Sequence, residues 1–180
     1  QGATGKSIAI TSVVSEQKTL KPPKLYDLTT LQRECNRLFK YTAQQTLDIA
    51  QSLYESKLIT YPRTDSQYLT EDMADTALTV IDTIQGLPLF AEDVTLKNEP
   101  NLAPLLDNSK VSDHYAIIPT MQIAKAELST LPQEQQQVLS LIAGRLLCAV
   151  SAPHVYESTK IVGDLEGTAF TATGKTIIDA

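Results

Sequence analysis

The sequence predicts an α+β chain, mainly helical, with a helical body inserted between β-strands. Three observations carry this expectation. β-branched text stands at both ends: residues 7–14 read Ser-Ile-Ala-Ile-Thr-Ser-Val-Val, and residues 157–180 return to Thr, Val and Ile separated by glycines. Between them, apolar residues recur at helical spacing. Prolines divide the two kinds of text, with Pro22-Pro23 before the helices and Pro153 after them.

Taken in order, residues 7–14 form the first expected strand. Thr29 or Thr30 can cap a helix to about Phe39, with Leu31, Cys35 and Leu38 on one face. Thr42-Ala43-Gln44-Gln45 has the capping-box pattern and opens a second helix, carrying Leu47, Ala50, Leu53 and Tyr54 to about Lys57. A short strand over 58–61 follows. Helix, tight turn, helix, strand is the order of a winged-helix unit, and equally of other small helical bundles. Thr70 caps an expected helix over 71–85, with Gly86 as its C′ residue. Residues 87–104 are broken by prolines. Pro132 opens a helix over 133–150 whose stripe is Val138, Leu141, Ile142, Arg145, Leu146 and Ala149. Strands are then expected over 159–162, 168–172 and 175–178, with Gly163, Gly167 and Gly174 as turns. The resulting organisation is a β segment (1–20), a helical domain (21–152) and returning strands (153–180).

At 180 residues the chain fits one domain, or one and part of another, and 42% hydrophobic residues suffice for a core. It begins at Gln1, its methionines are Met73 and Met121, and no signal peptide or membrane-spanning run is written. A piece of a larger protein, working away from membranes, is expected. Cys35 and Cys148 lie far apart in helical text, with no Cys-x-x-Cys pair to hold zinc. Two buried, reduced thiols in a cytoplasmic protein are expected.

The net charge of −6 argues against a protein that coats DNA. Its distribution is uneven. From residue 18 to 63, eight basic residues stand against four acidic ones; from 64 to 109, only Lys97 stands against nine. The basic half can face phosphate, or both halves can be ordinary solvated faces.

The basic half ends in Leu58-Ile59-Thr60-Tyr61-Pro62-Arg63-Thr64-Asp65-Ser66. Pro62 disfavours the α region for Tyr61, so the phenol is held extended and presented. Arg63 carries the side chain best shaped to grip a phosphate with two hydrogen bonds. A phenol beside such a clamp suggests covalent phosphodiester chemistry. A free phenol ionises near ~10, so it needs a cation or base nearby. The bland readings are a buried tyrosine whose hydroxyl finds a partner, and an Arg63–Asp65 surface salt bridge. Tyr26, Tyr41, Tyr54, Tyr68, Tyr115 and Tyr156 lack such neighbours and read as structural.

The string Ile59-Thr60-Tyr61-Pro62-Arg63-Thr64-Asp65-Ser66 resembles the active-site signature of type IA DNA topoisomerases. Ser112-Asp113-His114-Tyr115-Ala116-Ile117-Ile118-Pro119-Thr120 resembles a downstream segment of the topoisomerase III branch. Residues 22–54, with Leu25-Tyr26-Asp27-Leu28, and residues 153–157 also read like that family, in its order. One departure stands out: the family's second histidine is Tyr115 here.

The resemblance implies a fold in which a winged-helix-like, tyrosine-bearing helical domain is inserted between strands of an arch domain. It implies Tyr61 and Arg63 as catalytic residues, and contacts to DNA from His114. Thr64 and Ser66 read as phosphate donors. Asp65 reads as ordering the turn, and His154 as structural. The implied partners are DNA, mainly single-stranded, and the other domains of the parent chain. The implied cofactor is Mg²⁺ in the full-length enzyme, bound outside this fragment; no metal or cofactor is expected in the fragment itself, which is expected to be inactive alone. The alternative is a non-catalytic winged-helix DNA-binding module, and a third reading is a helical interaction domain that never touches DNA. Gly2-Ala3-Thr4-Gly5-Lys6-Ser7 resembles the end of a phosphate-binding loop, but a β-branched run follows where a helix must open.

Overall fold

The computed structural model describes residues 7–90 and 96–179. The glycine-lysine text over 2–6 lies outside them. The structure is α+β; the described residues form four α-helices and a three-stranded antiparallel sheet. It divides into two compact units. Pro22–Ser151 makes one; the chain before Pro22 and after Ser151 makes the other.

The second of these is the sheet, in the order β1 (Ala9–Leu20), β2 (His154–Leu165), β3 (Thr168–Asp179). β1 pairs with β2 from Leu20 opposite His154 to Ala9 opposite Asp164, with an irregularity between Ile10 and Ser12. The strands are longer than the glycines suggested. Gly163 and Gly174 lie inside β2 and β3 rather than at turns. At Gly163 a Cβ would run into the Ile8 side chain, so the glycine serves close approach. The tight turn between β2 and β3 is Glu166-Gly167, with φ of 53° and 84°, the two positive values of a two-residue hairpin loop. Asp164 accepts from the Gly167 N–H at 3.1 Å. All twelve residues of β1 are exposed, among them Ile10, Val13 and Val14.

The helical unit starts with α1 (Leu28–Phe39). Its cap is Asp27 rather than a threonine. Asp27 Oδ1 accepts from Thr30 N at 2.6 Å while Thr30 Oγ1 accepts from Asp27 N at 3.1 Å. α2 (Ala43–Glu55) has the expected box, with Gln45 N donating to Thr42 Oγ1 and Thr42 N to Gln45 Oε1. The third helix begins as a 3₁₀ turn, Glu71–Met73, before α3 (Ala74–Gln85). Thr70 makes no side-chain cap, and Gly86 is right-handed at φ −88°. α4 spans Gln133–Val150.

The core takes Leu31 and Cys35 from α1, Ala50 and Leu53 from α2, Val80, Ile81 and Ile84 from α3, and Leu139, Ile142 and Leu146 from α4. Leu38 is exposed instead, because α1 turns its Leu31/Cys35 edge inward. Burial pushes the Cys35 thiol up to about 11, against a weaker opposing hydrogen bond from Thr46. Cys148 is exposed, so the expectation of two buried thiols fails for it. Tyr26 is 1% exposed and receives a 2.9 Å hydrogen bond from Arg145 Nη2, whose guanidinium carbon lies 4.1 Å from the ring centre.

The expected strand over 58–61 reduces to one bridge, Ile59 with Pro119. What holds this segment is a set of single hydrogen bonds. Thr60 N donates to Ile118 O and Thr120 N to Leu58 O, both at 3.0 Å; Thr60 Oγ1 donates to Ala116 O at 2.9 Å. On the other side Ile117 N donates to Tyr26 O at 2.8 Å and Leu28 N to Thr64 O at 3.0 Å. Three strings far apart in sequence, 25–28, 58–66 and 112–120, are thereby laid side by side.

Candidate active site

α2 ends in a way that aims the chain at Tyr61. Leu58 N donates to Leu53 O and Lys57 N to Tyr54 O, the paired bonds of a Schellman cap. The cap needs a left-handed residue, and Lys57 supplies it at φ 60°. Leu58 and Ile59 then plunge into the core, and Tyr61 emerges half-buried ahead of a buried Pro62.

The Tyr61 ring lies 4.3 Å, centre to centre, from His114 and 5.3 Å, edge-on, from Tyr54. These side chains, with Glu55, Lys57, Tyr115, Thr120 and Gln122, line an open cleft of about 590 Å³. Arg63 does not enter it. It is exposed and lines a second groove of about 490 Å³ with Asp65, Asp113, His114, the α1 cap Asp27 and the first α1 residues Leu28 and Thr29. His114 belongs to both hollows and forms the wall between Tyr61 and Arg63. No Arg63–Asp65 ion pair forms among the described residues.

Thr64 and Ser66 turn inward. Both are buried, at 7% and 4% exposure, and both hydroxyl protons are committed inside the chain. Thr64 Oγ1 donates to His114 O and Ser66 Oγ to Lys110 O, each at 2.9 Å. Donation to a phosphate would break these bonds and orphan buried groups. Instead they pin the loop carrying His114 against the tyrosine segment. Tyr115, in place of a second histidine, is half-buried and lines the Tyr61 cleft. The sequence reading missed Lys57 and Tyr54 as cleft residues. Tyr54 was placed on the apolar stripe of α2, and only its tertiary neighbours show otherwise.

Comparison with known proteins decides the family. A family model described as DNA topoisomerase matches residues 1–180. The chain belongs to the DNA topoisomerase family. It is 35% identical to DNA topoisomerase 3 of Bacillus subtilis and 38% to that of Bacillus licheniformis, each match covering 96% of this chain and 24% of the relative. This topoisomerase chain thus spans about a quarter of the length of those relatives. These matches place it with type IA enzymes of the topoisomerase III branch, as the two sequence strings suggested. Full-length topoisomerase I from Thermotoga maritima shares the fold, with a TM-score of 0.68 at 24% identity over 95% of this chain and 28% of that one.

Proposed function

We propose that this chain is the tyrosine-bearing part of a cytoplasmic enzyme that cuts one DNA strand through a 5′-phosphotyrosine link, passes another strand and reseals the break. The observation that carries the reading is Tyr61, presented in an open cleft against His114, with Arg63 free on the far side of that wall. Tyr61 Oη attacks a backbone phosphorus. The Oη–P bond forms as the P–O3′ bond breaks; the phenol gives up its proton and the departing 3′-oxygen takes one up, leaving a 3′-hydroxyl. The ester keeps the energy of the broken bond, so the reverse attack by the 3′-hydroxyl reseals the strand without ATP. Arg63 grips the scissile phosphate and offsets charge as it develops. His114 hydrogen-bonds a neighbouring phosphate oxygen.

Mg²⁺ would assist phosphate chemistry in the full-length enzyme. Among the described residues no three His, Cys, Asp or Glu side chains converge on a metal position. Its ligands would come from outside them, and no step above runs through it. No helix among the described residues is long and apolar enough to cross a membrane.

The test is covalent trapping. Full-length enzyme carrying this sequence should form an adduct with single-stranded DNA that survives denaturing gels, and Tyr61→Phe should bind the strand without forming one. Adduct from the phenylalanine variant moves the nucleophile elsewhere. Absence of adduct from the unaltered enzyme, with binding intact, favours a non-catalytic DNA-binding module.

A further inference from the structure

Outside both hollows, two lysines converge on one tyrosine that the proposed reaction does not use. Lys24 Nζ and Lys110 Nζ each lie 4.8 Å from the centre of the Tyr68 ring. Lys110 also donates to the Tyr68 hydroxyl at 3.4 Å and lies 3.6 Å from Asp107. Both contacts are longer than the ~2.7–2.9 Å of a strong charge-assisted bond. With its side chain 53% exposed, the Lys110 ammonium retains donors for another ligand. Lys24 is exposed and has no carboxylate partner among the described residues. Lys24, then Lys110, hold the Tyr68 phenol below its ordinary range, a sign of the positive potential there. Like charges at one ring repel, and a bound anion removes that cost.

The cluster grows from the same segments as the Arg63 groove. The bonds from Thr64 and Ser66 lay the 110–114 loop along 64–68, while Gln67 Nε2 donates to Asp27 Oδ2 at 3.0 Å and ties 64–68 to the segment that carries Lys24. With cations against the Tyr68 ring, it is poorly placed for base stacking, and ammoniums favour phosphate as point charges.

Building on the DNA reading above, we propose that Lys24 and Lys110, held at Tyr68, form a second phosphate-binding station for the strand engaged at Arg63. It reads backbone rather than sequence.

The test uses the full-length enzyme and single-stranded oligonucleotides of several sequences, with affinity followed from 50 to 300 mM KCl. Lys24→Gln/Lys110→Gln should flatten the slope of log K against log salt by roughly 0.7–1.4, the share of one or two phosphates on a single strand. Binding at low salt should weaken roughly 3- to 10-fold, alike for every sequence. Lys24→Arg/Lys110→Arg should restore the slope. Lys40→Gln/Lys125→Gln, removing the same charge elsewhere, should leave it near the unaltered value. A slope equal to that control, or a loss that depends on sequence, overturns the station. Adduct formation at saturating DNA reports separately on Tyr61. An enzyme that forms no adduct but loses slope keeps the station and refutes the nucleophile.

Discussion

Two tyrosines of the helical unit have an arginine in view, one through space and one along the chain, and their surroundings diverge. Tyr26 lies in the core, and Arg145, distant in sequence, comes over from α4 to bond its hydroxyl. Tyr61 stands half-buried in a cleft, and Arg63, two residues on, opens into a different groove. Nearness to a guanidinium therefore does not by itself make a phenol accessible. At Tyr26 burial outweighs Arg145 and pushes the phenol up to about 12, which keeps it neutral and structural. Tyr61 is reachable, and its arginine stays free for a substrate group.

The sharpest break of this comparison is removal of each hydroxyl. Tyr61→Phe should abolish covalent adduct while the unfolding midpoint moves little. Tyr26→Phe should keep adduct formation per folded molecule and cost about 1–2 kcal/mol, because Arg145 loses its acceptor. Reversed outcomes in gel trapping and denaturant unfolding would swap the roles.

The arginines should differ in kind as well. If Arg63 grips the phosphate with two parallel hydrogen bonds, lysine cannot replace it, since an ammonium lacks the planar fork. Loss of a charge-assisted contact, ~1.5–3 kcal/mol, corresponds to roughly 10- to 150-fold slower cleavage for Arg63→Lys, with folding intact and Arg63→Ala worse. Cleavage at the unaltered rate by both variants would leave Arg63 as a surface cation only.

Alkaline pH should probe the buried phenol. Unfolded, Tyr26 ionises near 10; folded, near 12. Its contribution is fully present below the first value and is lost as pH rises through the second, because the unfolded chain releases a proton that the folded chain keeps. Two pKa steps amount to about 2.7 kcal/mol at most. Cys35, raised from 9.0 to about 11 by burial, adds loss in the same direction from a lower pH. Denaturant midpoints measured from pH 8 to 12 should fall, and the Tyr26→Phe protein should fall less steeply above pH 10. Equal slopes would assign the alkaline loss to other groups.

How much of this was legible in the sequence follows from the range of the forces involved. The α2 capping box and the presentation of Tyr61 by Pro62 depend on neighbours within four residues, whereas α4 buries Leu139, Ala143 and Leu147 beside the expected stripe and leaves Leu141 and Arg145 half-buried. The expected break at Gly163 misled because that glycine serves approach to Ile8, a contact across the sheet; Gly174 has no such neighbour, and nothing in the structure explains it. The cap of α1 fell to Asp27 because Thr30 can serve at N3, which the composition of 27–30 left open. The acceptors that hold the Thr64 and Ser66 hydroxyls, His114 O and Lys110 O, lie over forty residues away and leave no local trace. The wall that His114 builds between Tyr61 and Arg63 has no local signature.

The smallest expected effect separates the two regions once more, through their helix ends. α1 runs on from Tyr26 and closes on Lys40 at φ 63°; α2 closes on Lys57 at φ 60° and leads to Tyr61. Both are left-handed positions where a side chain costs ~1–2 kcal/mol that glycine avoids, less the extra entropy glycine gives the unfolded chain. Lys40→Gly and Lys57→Gly should therefore each stabilise the protein by about 0.5–1 kcal/mol, visible as a raised unfolding midpoint. Their effects on cleavage should part. Lys40 lies on the surface, outside both hollows, and its loss should leave the rate unchanged. Lys57 lines the Tyr61 cleft, and its loss removes a cation from that cleft. A protein that is more stable yet slower at adduct formation is the expected result for Lys57→Gly alone. If both variants gain stability with the rate intact, the left-handed lysine at 57 is only a helix end, and the cleft owes nothing to its charge.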